Sequence, residues 1–327
     1  MNNLKVMYIP HPLPEVDNKN PFLPKQIEGN FNLRIYNRNC APDSQFDNIE
    51  VIVDMGGNMT PELVRIAAKS GVKYIQVQTN GLDHVEVEEI IKSGITLAHC
   101  PGDLSSVSLA EGAMMFILML AHGYGLAREQ FFEGKAFSLQ GKEVAGLSLG
   151  ILGFGASGQQ LARRAKTFGI SVHGIDVREI EKEILEEIKP DSMGGPEDLD
   201  HMISTCDFIS LHLHLNQNTR HIIDSRRIAL MKPSSYIVNV ARGGLIDEEA
   251  LYEALSDNRI AGAGLDAFAQ EPPDHTLPVY KLPNVLVQPH TVASTDGTMR
   301  KRNDFCLENL TRYAAGKSLE GQILKRV

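Results

Sequence analysis

Apolar residues along the chain gather in short runs bounded by glycine, proline or acidic residues, and stretches of helical spacing lie between the runs. Up to about Pro101 the runs predict strands near Lys5 to Ile9, Leu33 to Tyr36, Val51 to Val53, Tyr74 to Val77 and Thr96 to Ala98. Helices fit between them, notably Pro61 to Ser70, with proline at the first turn, and Val85 to Lys92. Strands alternating with helices imply a parallel sheet. A long helix is expected from Ser108 to about Phe132, its first half apolar on nearly every face, so it must be buried or pack against a partner chain. After a linker from Phe137 to Gly146 the alternation resumes, with strands expected at Leu147 to Leu152, Ile170 to Ile175, Phe208 to Leu215, Tyr236 to Val240, Ile260 to Leu265 and Val285 to Gln288. Helices are expected at Gln159 to Phe168, Ile180 to Lys189 and, capped by Asp247, through Leu255.

The stretch LSLGILGFGASGQQLARRAKTFGISVHGID carries the clearest chemistry. Gly153, Gly155 and Gly158 stand in G-x-G-x-x-G spacing between a strand and a helix. Gly153 suits a tight turn, Gly155 allows a pyrophosphate to approach the backbone, and Gly158 lets helix and strand pack closely. The phosphates would sit at that helix's N-terminus, with Ala156 and Ser157 beside it, where unpaired N–H groups and the helix dipole favour an anion. Asp176 ends the next strand, placed to hold both ribose hydroxyls and to repel a 2′-phosphate, so NAD is expected over NADP; Arg178 tempers that preference.

At 327 residues the chain is long enough for two cores. A formal charge of -9 argues against a nucleic-acid surface and supplies no basic stripe for a membrane. The longest apolar run, Ala113 to Ala121, is about half a membrane span. The N-terminus reads as a core strand rather than a signal peptide, and a cytoplasmic location is expected. Cys40, Cys100, Cys206 and Cys306 are scattered without a C-x-x-C pair and read as reduced thiols. His212 and His214 would share one face of the strand Phe208 to Leu215, but no third metal ligand is evident nearby, so no metal is expected.

Three further polar residues stand just past strands. Arg242 follows Ala241 in the turn after Tyr236 to Val240, Glu271 lies in the loop after the strand ending at Asp266, and His290 follows Pro289. Residues at the carboxyl ends of parallel strands converge on a ligand crevice. Asn80 and Gly81 follow another strand, where the local sequence reads as a plain turn.

The segments GILGFGASG with Asp176, NVARGGLIDEEAL, AGAGLDAFAQEPP and LPNVLVQPHTVAST, in this order, resemble the signatures of the D-2-hydroxyacid dehydrogenase family. The resemblance implies two doubly wound parallel α/β domains, a Rossmann cofactor domain inserted in a flavodoxin-like substrate domain. Residues 1–102 and 297–327 would form the substrate domain and 103–296 the NAD-binding domain, hinged near Pro101 and Thr295. It implies hydride transfer between NAD(H) and a small 2-hydroxy acid or 2-keto acid, with Arg242, Glu271 and His290 as the catalytic trio. His290 would give the proton, Glu271 would hold the imidazolium, and Arg242 would bind the keto oxygen and carboxylate. Backbone N–H groups of Asn80 and Gly81 would share the carboxylate, and Asp266 would receive the nicotinamide carboxamide. A homodimer through Leu109 to Ala121 is also implied. Two features depart from the family pattern: PGDLSSVSLA lacks an expected asparagine, and His214 stands where proline is usual. A formate dehydrogenase would have glutamine in place of Glu271; the remaining alternative is an NAD-sensing, corepressor-like binding protein on the same fold.

Overall fold

A computed structural model describes residues 3–13, 20–57 and 59–323. The chain divides into two compact units, Met1–Leu104 with Asp296–Val327, and Ser105–Thr295. The domain limits expected at residues 1 and 327 lie outside the described residues.

In the first unit, β1 (Lys5–Ile9), β2 (Asn32–Ile35), β3 (Val51–Asp54), β4 (Tyr74–Val77) and β5 (Thr96–His99) pair in parallel in the order β5-β4-β3-β1-β2. This is the doubly wound order of a flavodoxin-like sheet. β3 and β4 are buried along their whole length, as expected of strands covered on both faces by helices. Helices α1 (Phe22–Asn30), α2 (Pro61–Lys69) and α3 (Val87–Lys92) belong to this unit. Thr60 starts α2 by accepting the Leu63 N–H on its hydroxyl, with Pro61 in the first turn. The sheet is not wholly parallel: the chain returns through α11 (Asp296–Ala314) to β13 (Gln322–Ile323), which pairs antiparallel with β5.

The helix expected from Ser108 to Phe132 is two helices. α4 (Asp103–Ala121) begins earlier, and α5 (Tyr124–Phe132) follows a break at Gly123, whose φ of +60° only glycine adopts freely. α4 is 19 residues with a mean hydropathy of 1.8, long and apolar enough by those measures to span a membrane, in place of the half span read from Ala113 to Ala121. Most of its apolar residues, Phe116, Ile117 and Leu120 among them, lie in the core of the second unit. Large hydrophobics exposed soon after it include Tyr124, Leu126, Phe131, Phe132, Phe137 and Leu139.

The second unit holds β6 (Ser148–Leu152), β7 (Ser171–Ile175), β8 (Ser192–Gly194), β9 (Phe208–Leu211), β10 (Tyr236–Asn239), β11 (Gly262–Leu265) and β12 (Val285–Val287). All pair in parallel, in the order β8-β7-β6-β9-β10-β11-β12, the doubly wound order with its switch between β6 and β9. α6 (Ala156–Thr167), α7 (Lys182–Ile188), α8 (Leu199–Thr205), α9 (Ser225–Leu230) and α10 (Glu248–Ser256) connect them, and the Asp247 carboxylate caps α10 by accepting the Ala250 N–H. β9 stops at Leu211, so His212 and His214 do not share a strand face: the alternation of FISLHLHL continues past the point where pairing ends. Ser108 Oγ lies 2.6 Å from Thr295 Oγ1, which brings the start of α4 beside the segment where the chain leaves this unit.

Candidate active site

The polar residues singled out on the second unit stand just past the carboxyl ends of its strands from β6 to β12, β8 excepted. At β6 the chain turns at Gly153 with φ +92°, and a Cβ there would stand 2.6 Å from the His212 carbonyl oxygen. A Cβ at Gly158 would meet the Gly153 oxygen at 2.2 Å, so α6 can start this close to the strand only through glycine. Gly155 differs. Its φ of -78° suits any residue, and within 4 Å a Cβ would meet Arg178 Nη2 alone, at 3.6 Å. No internal contact demands glycine here, which leaves open backbone next to the uncapped N–H groups of Ala156 and Ser157. Those features fit a dinucleotide phosphate.

Asp176, just past β7, accepts the Phe154 N–H on Oδ2 at 2.9 Å, tying the glycine turn to the neighbouring strand. Both its oxygens also take the Arg178 guanidinium, at 3.1 Å each. Burial raises the Asp176 pKa, but the hydrogen bonds and charge of Arg178 and the Phe154 N–H outweigh it and hold the carboxyl below its ordinary range. Sequence reasoning had missed the pairing at the end of β9. His212 Nδ1 is 2.9 Å from Ser157 Oγ and Nε2 is 3.0 Å from Ser210 Oγ, so both ring nitrogens serve the phosphate-loop helix and the strand. Burial lowers its pKa to about 4, so the ring is neutral.

At β10, Asn239 Oδ1 accepts the Ala241 N–H and Asn239 Nδ2 donates to the Arg242 carbonyl, shaping the turn that presents Arg242. At β11, Asp266 is 1% exposed; its carboxylate accepts the N–H groups of Thr291 at 2.8 Å and Val292 at 3.2 Å, and burial pushes its pKa up to about 6.

The histidine of that segment, His290, has φ +53°, a left-handed conformation that costs a non-glycine residue roughly 1–2 kcal/mol. Such strain clusters at functional sites. Its Nδ1 lies 2.7 and 2.6 Å from the two Glu271 oxygens, and Glu271 also accepts the Phe268 N–H. That hydrogen bond raises the His290 pKa, against burial; Glu271 is lowered in turn, because His290 and Arg242 outweigh its own burial. The structure thus gathers Arg242, Glu271, His290 and Asp266 into one electrostatic group. Nε2 of His290 is left to act on a ligand as an acid, with Nδ1 held by a carboxylate.

Asn80 and Gly81 follow β4 of the first unit. Their loop is pinned by the Thr79 hydroxyl to the Gly81 oxygen, by the Cys100 N–H to the Thr79 oxygen and by His99 Nδ1 to the Asn80 oxygen. Among the described residues, neither Asn80 nor Gly81 donates its backbone N–H to a protein acceptor.

Residues 114–292 match the model of the D-isomer specific 2-hydroxyacid dehydrogenase NAD binding domain. Hydroxypyruvate reductase of Thermotoga maritima is 38% identical over 76% of this chain and 76% of its own length. D-3-phosphoglycerate dehydrogenase of Methanocaldococcus jannaschii is 36% identical over 84% of this chain, which spans 51% of that longer protein. The D-lactate dehydrogenase of Aquifex aeolicus, solved with NAD and lactic acid, superposes with a TM-score of 0.80 at 26% identity, covering 95% of this chain and 96% of that one. The chain belongs to the D-isomer specific 2-hydroxyacid dehydrogenase family.

Proposed function

We propose that the protein reduces a small 2-keto acid to the D-2-hydroxy acid, and catalyses the reverse, with NAD(H). The bound cofactor supplies or takes the hydride at C2. The observation that carries the proton-transfer assignment is the contact between His290 Nδ1 and the Glu271 carboxylate. It favours the imidazolium and fixes which nitrogen faces the ligand, so Nε2 gives its proton to the carbonyl oxygen as hydride arrives. Arg242 holds that oxygen and the substrate carboxylate with its planar fork. The free N–H groups of Asn80 and Gly81 support the carboxylate.

On the cofactor side, Gly153, Gly155, Ala156, Ser157 and Gly158 cradle the pyrophosphate, Asp176 takes the ribose hydroxyls, and Ala241 and Asp266 border the nicotinamide. NADH is the preferred form. Relatives bearing reductase and dehydrogenase names favour this reading over an NAD-sensing, corepressor-like role.

The protein is further proposed to be cytoplasmic and homodimeric, without nucleic-acid or membrane partners. The stretch expected to form it, Leu109 to Ala121, lies mostly in the core of its own unit; the exposed apolar residues from Tyr124 to Phe137 support a dimer instead, with Phe131 and Phe132 75% and 72% exposed. Following NADH oxidation with a panel of 2-keto acids, for the natural chain and for His290→Ala, tests the activity. No oxidation with any acid, or equal turnover in the variant, would overturn it.

A further inference from the structure

His212 stands at the switch point of the second sheet, where β6 and β9 lie side by side. Its N–H donates to the Leu152 oxygen at 2.7 Å, and its own carbonyl oxygen lies 2.6 Å from where a Cβ on Gly153 would stand, so its backbone is fixed against the glycine turn. Its ring is fixed as well. Nδ1 meets Ser157 Oγ at 2.9 Å and Nε2 meets Ser210 Oγ at 3.0 Å, which makes a chain of three side chains from β9 to the second residue of α6. Among the described residues neither hydroxyl has another hydrogen-bond partner.

The two ends of that chain differ. Ser210 is enclosed, 0% exposed, whereas Ser157 is partly exposed beside the open backbone of Gly155. The ring is neutral, so one nitrogen donates and the other accepts, and two arrangements are left. In one, Ser157 gives its proton to Nδ1 and Nε2–H donates to Ser210; the Ser210 proton is then sealed inside the protein without an acceptor. In the other, Ser210 gives its proton to Nε2 and Nδ1–H donates to Ser157; the proton left over is then the one at the surface. A buried donor without an acceptor carries the full cost of its lost hydration, and one that faces solvent or a ligand does not. The second arrangement therefore prevails.

We propose that Ser210 and His212 are positioning residues for the cofactor, a one-way relay of hydrogen bonds that keeps the Ser157 hydroxyl proton free to donate to the pyrophosphate of NAD(H). The inference rests on the reading above, in which the start of α6 cradles that pyrophosphate. With the ring donating into one lone pair of Ser157 Oγ, the hydroxyl cannot turn its proton inward, and it serves as a donor beside the uncapped backbone N–H groups of Ala156 and Ser157. A serine free to rotate would have to be ordered on binding; this one is ordered beforehand. A hydrogen bond to a charged group contributes enough to change binding by about 10- to 100-fold.

Two measurements test it. Long-range proton–nitrogen NMR spectra of the cofactor-free natural chain, labelled with ¹⁵N at histidine and assigned with His212→Gln, should show His212 protonated at Nδ1 and bare at Nε2. A ring protonated at Nε2 instead overturns the inference, whatever becomes of the variants. Fluorescence titration with NADH should give a Kd about tenfold or more higher in Ser157→Ala. Ser210→Ala removes only the buried hydroxyl; it should let the Nε2–H form appear in the spectrum and raise Kd, whereas Ser210→Thr, which keeps the hydroxyl, should match the natural chain in both. In a Ser157→Ala background Ser210→Ala should weaken NADH binding no further, since the relay then has nothing to act through. An unmoved Kd in Ser157→Ala, or equal effects of Ser210→Ala in both backgrounds, overturns the inference while leaving the cofactor reading standing. If the natural chain does not bind NADH, the cofactor reading fails and takes this one with it.

Discussion

Asp266 Oδ1 accepts the backbone N–H of Thr291 at 2.8 Å, so the peptide just beyond His290 hangs from a buried carboxylate at the end of β11. Val292 donates to the same group. The left-handed backbone of His290 is thereby held from one side by Asp266, while its ring is held from the other by Glu271.

Replacing Asp266 with alanine should therefore strand two buried N–H groups, at about 1–3 kcal/mol each. The melting temperature of the cofactor-free protein should fall by about 5 °C or more. Turnover should fall with it. If Asp266 served only the nicotinamide carboxamide, NADH affinity alone would change and the cofactor-free melting point would not.

His290 and Glu271 give a signed pH prediction. With the imidazolium as the proposed donor, keto-acid reduction should be lost as pH rises through the His290 pKa. Glu271 raises that pKa, which places the loss above the ordinary histidine range. Glu271→Gln keeps the shape but removes the charge, and the alkaline limb for reduction should move to lower pH. Oxidation, which needs the neutral ring, should persist to lower pH in the same variant. His290→Ala should lose about 10²–10⁴-fold in turnover while still binding NADH. An unmoved pH profile in Glu271→Gln would remove Glu271 from the mechanism.

Arg242→Lys should raise KM for the keto acid more than it lowers affinity for NADH, since an ammonium cannot reproduce the two-pronged hold on carboxylate and carbonyl oxygen. Equal losses for cofactor and substrate, read by NADH fluorescence titration beside steady-state kinetics, would point to a collapsed turn instead.

On the proposed reading, cofactor choice depends on the pair at the end of β7. Arg178 neutralises Asp176 and lies toward the glycine turn, so it softens the repulsion that a 2′-phosphate meets. Arg178→Ala should widen the ratio of NADH to NADPH kcat/KM, and Asp176→Ala should narrow it. Equal kcat/KM for both cofactors in the natural chain would defeat the assignment.

The exposed phenylalanines of α5 and the following segment yield an assembly prediction. Sedimentation at micromolar concentration should show a dimer, and the joint change Phe131→Ser, Phe132→Ser and Phe137→Ser should give a monomer. A monomeric natural chain would refute it.

Much of this architecture was legible in the sequence because the strands are short, apolar and bounded by glycine or acidic residues. Tyr74 to Val77 is the observed β4, and the turn at Gly153 and the cap at Asp247 also fall where local chemistry puts them. Where pattern outran pairing, the reading slipped: FISLHLHL alternates to its end, yet β9 stops at Leu211 when its neighbours stop. Apolar composition hid the break at Gly123, because one glycine in a helical stretch does not by itself announce a positive φ. The site residues past each strand could be named singly, but the His212 to Ser157 contact and the Arg178 to Asp176 pair are side-chain geometries that no spacing encodes.

The first unit is made from two stretches of chain separated by all of Ser105–Thr295. During synthesis, β1 to β5 leave the ribosome without α11 and without the strand that closes the β5 edge. At ordinary elongation rates the intervening stretch takes roughly 10 to 40 s to make. The second unit, being continuous, can fold during that interval, while the β5 edge and the apolar face that receives Cys306 and Leu310 stay open until α11 and β13 emerge. A nascent-chain proteolysis experiment should find the later-made unit protected first, the reverse of the order in which the two units begin.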